Sequence, residues 1–197
     1  YYASGQAVFN ESFANFVGAR GSEQFFRSRG DTAAARTVAA RWNDEEVLGR
    51  FWNRVYQAVD SAYRVHPESR VARIAANDTV YARARDWLVR DVGPQLQTID
   101  TTNLGRARLS NAVLLAQRIY TTDLDDFDAV YAREDDDLKR AVVRIIELAK
   151  SRRADPFGAV RDWVSAGGSA TRAGSATAGA PAGVSPAAGA ASKPPEQ

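Results

Sequence analysis

The stretch Phe9-Asn10-Glu11-Ser12-Phe13-Ala14 carries residue types at a spacing that could do chemistry. Phe9, Phe13, Phe16 and Val17 recur at three- and four-residue steps, so the segment reads as a helix with one apolar face. At about 100° per residue, Glu11 falls about 160° from Phe13. Two readings of the polar pair are open. In one, Asn10 stands near a helix cap and the Glu11 carboxylate complements the positive end of the helix dipole. In the other, Glu11 is a metal ligand. A catalytic zinc takes three protein ligands and keeps a further position for water, and glutamate is one of the residue types that serve.

Other candidates reduce to structural roles. The only histidine, His66, precedes Pro67 in a break between helices and reads as a surface or capping residue. The acidic run Asp123-Leu124-Asp125-Asp126-Phe127-Asp128 is not a calcium loop. Such a loop needs Gly at its sixth position, where Asp128 stands, and Phe127 at the fifth offers no oxygen. Asp123 reads as a helix N-cap with dipole-complementing acids behind it, and Asp135-Asp136-Asp137 ahead of Leu138 as the same device. There is no Cys, hence no disulfide, thiolate metal site or cysteine nucleophile. No glycine-rich phosphate loop occurs, and a lone histidine makes a Ser-His-Asp arrangement an unfavourable reading.

The elements that must position Glu11 read as helix after helix. Val47, Leu48, Phe51, Trp52, Val55, Tyr56, Val59 and Tyr63 form one stripe. Its helix begins near Asp31 or Asn43-Asp44 and stops before His66-Pro67. Val71, Ile74, Ala75, Tyr81, Ala84, Trp87 and Leu88 form a second, stopped by Gly93-Pro94. Leu109, Ala112, Val113, Ala116, Ile119 and Tyr120 form a third, and Leu138, Val142, Ile145, Ile146 and Ala149 a fourth. Asp155-Pro156 looks like an Asp N-cap with proline at the first helical position. No confident strand pattern appears. The fold class is mainly α, a multi-helix domain over residues 1–165. From Ala166 to Gln197 the residues are almost all Ala, Gly, Ser, Pro and Thr, which predicts a disordered tail.

With 197 residues the chain holds one domain plus a tail. Lys and Arg number 26 against 24 Asp and Glu, a net charge of only +2, with both signs interleaved. That argues against a nucleic-acid partner, which would call for a clustered basic excess. No run approaches the ~18 apolar residues of a membrane span. The sequence has no Met and opens Tyr1-Tyr2-Ala3-Ser4, so it reads as a processed or truncated chain.

The run from Tyr2 to Val17, followed by Gly21 and Phe25-Phe26, resembles a bacterial family of zinc aminopeptidases. There a tyrosine-containing loop joins a His-Glu-x-x-His helix to an Asn-Glu-Ser-Phe-Ala helix. Leu109 to Tyr120, with Asn111-Ala112 ahead of Tyr120, looks like the family's Asn-Ala pair before a tyrosine, and Pro156 to Arg161 like its closing helix. The resemblance implies the C-terminal half of a zinc-peptidase catalytic domain, with a peptide substrate and a metal-activated water. Glu11 would be the third Zn2+ ligand, and Asn10 would orient it, bind a substrate group or simply cap the helix. Tyr120 would donate to the oxyanion of the tetrahedral intermediate, or serve as an aromatic core residue. Asn111, a little over two turns earlier, would share its face. The family's two histidines and general-base glutamate belong a few residues before Tyr1 and are not in this sequence. The chain alone is therefore expected to be inactive and to bind zinc weakly. Relatives look like envelope lipoproteins, which implies a bacterial envelope location. The alternative is a non-catalytic helical interaction module.

Overall fold

The computed structural model describes residues 1–175, with side chains as far as Gly167. It is mainly helical, with no strand among the described residues. The α-helices are α1 (Ala7–Ser28), α2 (Thr32–Val65), α3 (Arg70–Trp87), α4 (Asn111–Thr121), α5 (Leu124–Arg133), α6 (Leu138–Ser151) and α7 (Pro156–Ser175). Short polar residues set several starts. Asp31, Ser69, Ser110 and Asp137 each accept a hydrogen bond from the backbone N–H three residues on. Asp155 does the same for Gly158 at 2.9 Å, ahead of Pro156.

Two details correct the sequence reading. Because α2 starts at Thr32, the Asn43-Asp44 pair lies inside a 34-residue helix rather than at its start. Asp123 does occupy the N-cap position of α5, but its side chain caps nothing. Its backbone is left-handed, with φ 50°, and its carboxylate accepts from Arg161 Nη2 at 2.6 Å.

The compact unit is Tyr1–Val164. Its core has two clusters, both drawing on α2. In the first, Phe9, Phe13 and Phe16 of α1 pack with Trp42, Phe127, Ile145 and Val160. The phenylalanine faces interlock, Phe16 against Trp42 at 6.0 Å and Phe9 against Phe157 at 5.1 Å between ring centroids. In the second, Phe51, Val55 and Val59 pack with Tyr81, Leu88 and Leu114. α3 continues through a π-type turn (Leu88–Val92) into a 3-10 turn (Gly93–Gln95), where the predicted Gly93-Pro94 stop takes effect.

The α2–α3 hairpin departs from expectation. Between Val59 and Tyr81 no residue is buried, and Val71 and Ile74 are 79% and 51% exposed. Periodicity placed them on the second apolar stripe. α4 runs antiparallel to α2 and begins at Asn111, opposite Tyr63, so nothing on α4 reaches the hairpin beyond that point. The expected tail, 166–197, falls mostly outside the described residues. Its described part, to Ser175, is helical backbone in α7. No helix among the described residues is long and apolar enough to cross a membrane.

Candidate functional site

The first three turns of α1 are fixed on every flank but one. Phe9, Phe13 and Phe16 hold the apolar side. Asn10 clamps the lead-in segment: its Oδ1 accepts from the Ala3 N–H at 2.9 Å, and its Nδ2 donates to the Ala3 carbonyl at 2.8 Å. Asn10 is therefore not a cap, since the helix starts at Ala7 with Gln6 before it. Both ends of its amide hydrogen-bond to the Ala3 backbone.

Ser12 is fully buried and joins α1 to the end of α4. Its Oγ donates to the Ile119 carbonyl and accepts from the Thr122 N–H, both at 3.2 Å. The last carbonyls of a helix and the N–H just beyond it lack intrahelical partners, so one hydroxyl satisfies two stranded groups. One turn on, Asn15 Nδ2 donates to Glu45 Oε2 at 2.6 Å and to the Tyr120 carbonyl at 3.2 Å. α2 closes in from the other side at Gly49. A Cβ there would stand 2.5 Å from the Thr121 carbonyl oxygen, so only glycine permits this approach.

Glu11 is the exception on this stretch. It is exposed and has no hydrogen bond or ion pair, while Asn10, Ser12 and Asn15 are all engaged. A ligand reading calls for a buried or cleft-bordering carboxylate, and Glu11 is exposed. The correction has a simple cause: Glu11 projects from the flank opposite the phenylalanine face, and no described residue covers that flank.

Tyr120 lies in the last turn of α4, 51% exposed, with no partner for its phenol. It is not a core residue. The Ser12 and Asn15 contacts bring its turn of α4 against the Glu11 turn of α1. Asn111 is not brought there. Nine residues are two and a half turns, so Asn111 lies about 13 Å along the axis and on the opposite side of α4, not on Tyr120's face. It serves as a junction: Asn111 Nδ2 donates to Tyr63 Oη, and its Oδ1 accepts from Tyr81 Oη, both at 2.7 Å. Burial, then the neighbouring Tyr63, push the Tyr81 phenol up to about 12. His66 is the C-cap of α2.

One buried and one half-buried carboxyl escaped the sequence reading. Asp44, fully buried inside α2, accepts from the N–H groups of Gln97 and Thr98 and from the Thr98 hydroxyl, each at 2.7 Å. Burial works to raise its pKa. The Thr98 hydroxyl and the N–H groups of Gln97, Thr98 and Ile99 outweigh it and hold the carboxyl below its ordinary value. The signal was an Asp at an interior helical position, where a propensity argument expects none. Glu46 is the reverse case. Burial first, then the charges of Asp128 and Asp125, push it up to about 8, with Arg20 opposing. Asp128 itself is held by Arg20 and by Trp42 Nε1 at 2.9 Å.

No group of His, Cys, Asp or Glu among the described residues could by itself hold a metal ion. A groove of about 590 Å³ between α2 and α3 is lined by Arg54, Val55, Arg83 and Trp87, but not by Glu11, Asn111 or Tyr120.

Comparison of the chain with known families gives its class. The family model described as "Putative aminopeptidase" matches residues 1–156. The chain belongs to that family. It matches no curated protein and no solved structure.

Proposed function

We propose that this chain carries the glutamate half of a zinc aminopeptidase site, with Glu11 as one of three protein ligands. The carrying observation is that Glu11 is unpaired and open on a helix whose every neighbouring polar side chain is committed. The Glu11 backbone is fixed through the Asn10 and Ser12 contacts, and its carboxylate has no partner among the described residues to give up before it takes a cation. The rest of the donor set does not come from these residues, since a catalytic zinc takes three protein ligands and Glu11 is one. Two histidines and a general base would come from a His-Glu-x-x-His helix outside this sequence. Zinc, when bound, supplies an activated water for attack on a peptide carbonyl.

Within the chain, Ser12 and Asn15 set the position of α1 against α4, and Asn10 holds the loop that leads into it. Tyr120, whose carbonyl accepts from Asn15 of α1, keeps an exposed phenol without a partner, which suits donation to a developing oxyanion. The substrate class is a peptide with a free amino end. The test is hydrolysis of an aminoacyl p-nitroanilide by the intact enzyme. Activity lost to a chelator and restored by zinc is expected. An intact protein with neither zinc nor hydrolysis overturns the reading and leaves a helical interaction module. The isolated 197-residue chain should neither hydrolyse the substrate nor bind zinc stoichiometrically.

A further inference from the structure

The α2–α3 hairpin has two long faces, and α4 covers one of them. On that face the Arg118 guanidinium lies over the Tyr56 ring, and the Tyr63 and Tyr81 phenols both bond Asn111. At about 100° per residue, Arg54 and Ala58 stand about 160° from Tyr56 round α2. Arg83 stands about 160° from Tyr81 round α3. These residues line the groove of about 590 Å³, which therefore runs along the face opposite α4.

The floor of the groove is Val55, Ala58, Val80 and Ala84, short apolar side chains that leave room between the two helices. Each wall carries one exposed cation, Arg54 on α2 and Arg83 on α3, and neither meets a carboxylate among the described residues. The Arg54 guanidinium lies 5.0 Å over the Trp87 ring, and Phe51 backs that ring at 5.1 Å. Stacking on a ring face fixes the plane of the group and leaves its N–H edge for a carboxylate. Asp91 is the one acid in the lining. It stands at the end of the groove, eight residues and so about 12 Å beyond Arg83, and leaves the lining net positive. From Val80 to Asp91 the lining spans about 16 Å, or three turns of helix.

We propose that this groove seats an acidic amphipathic helix of a partner protein, about three turns long. Its apolar stripe lies on the floor, and Asp or Glu residues on its two flanks pair with Arg54 and Arg83. An amphipathic helix laid between two packed helices buries its stripe without disturbing either of them. The charges choose the partner. A basic helix would set cations against both walls, and an uncharged one would leave two guanidinium groups covered and unpaired. Glu11, Asn111 and Tyr120 do not line the groove, so the proposal stands apart from the peptidase reading.

The experiment is an NMR titration of the 197-residue chain, following the Trp87 indole N–H signal, which Trp87→Phe identifies by its loss. The probes are a helical peptide of about 14 residues with a leucine stripe flanked by glutamates, its lysine counterpart, and a scrambled acidic peptide of the same composition. The variant is Arg54→Glu with Arg83→Glu, both at exposed positions. Saturable shifts with the glutamate helix, and affinity at least about tenfold weaker for the other two peptides, support the proposal. The charge-swapped variant should prefer the lysine helix, a gain of binding that an unfolded variant would not show. Equal affinity for the glutamate and lysine helices overturns the proposal, as does equal affinity for the scrambled peptide. Wild-type affinity for the glutamate helix in the variant overturns it too, as does no binding of any peptide. A Trp87 signal that shifts with chain concentration alone puts a second copy in the groove and overturns the choice of partner.

Discussion

Replacing Ser12 with alanine removes the hydroxyl that bridges the two helix ends next to Glu11. The Ile119 carbonyl loses its donor and the Thr122 N–H loses its acceptor, in a place with no exposed surface at Ser12. An unsatisfied buried backbone group costs about 1–3 kcal/mol. Both contacts are 3.2 Å long, so the lower half of that range applies to each, giving a loss of about 2–4 kcal/mol. For a unit of this size about 1 kcal/mol moves the thermal midpoint by roughly 2–4 °C, so the midpoint should fall by roughly 4–16 °C. Ser28→Ala is the control. Ser28 is exposed near the end of the same helix and bonds only the Phe25 carbonyl, so its loss should stay within about 0.5 kcal/mol. Calorimetry and urea unfolding on both variants measure the difference. A Ser12→Ala loss no larger than the control's would show that the α1–α4 junction does not depend on this hydroxyl.

Gly49→Ala should cost about 1–3 kcal/mol despite alanine's better helix propensity, because its Cβ meets the Thr121 carbonyl oxygen; urea unfolding checks it. Asp44→Asn should lose about 2–4 kcal/mol at pH 7, since an amide nitrogen then faces N–H donors. The Asp44 pKa is depressed in the fold, so its contribution is present above the ordinary carboxyl range and lost as pH falls through the lower folded value. The variant's deficit should therefore shrink in acid, as pH-resolved unfolding would show. Glu46 has the opposite sign: it ionises near 4.5 when unfolded and near 8 when folded, so stability falls as pH rises between those values. Glu46→Gln should flatten that fall, and an unchanged slope between pH 5 and pH 8.5 would contradict it.

Local signals were legible where the physics is local. Asp31, Asp137 and Asp155 announced helix starts because a side-chain oxygen reaching an N–H three residues on needs no distant partner. The stop before His66-Pro67 was equally plain. The phenylalanine face of α1 was legible from its spacing, but the exposure of Glu11 was not, since a ligand reading expects a buried or cleft-bordering carboxylate. Non-local contacts were not. Periodicity put Val71 and Ile74 on one face but could not say whether another helix covers it. Asp44 gave no sign of the loop whose N–H groups it holds, 53 and 54 residues away. Ser12 was one letter of a motif, and its role depends on Ile119 and Thr122, more than a hundred residues on. Asn111 was misplaced by half a turn, which moved it to the far side of α4.

The central claim is that Glu11 is a zinc ligand. Zinc content measured on the intact enzyme and its Glu11→Gln variant, together with kcat/KM, tests it most directly. Gln keeps the shape of Glu and is a poor zinc ligand. Because Glu11 has no partner within the described residues, the metal-free variant should keep the wild-type thermal midpoint. The account predicts zinc loss and a fall in kcat/KM of at least about a hundredfold at that unchanged midpoint. Full zinc occupancy with wild-type kcat/KM in Glu11→Gln would contradict it.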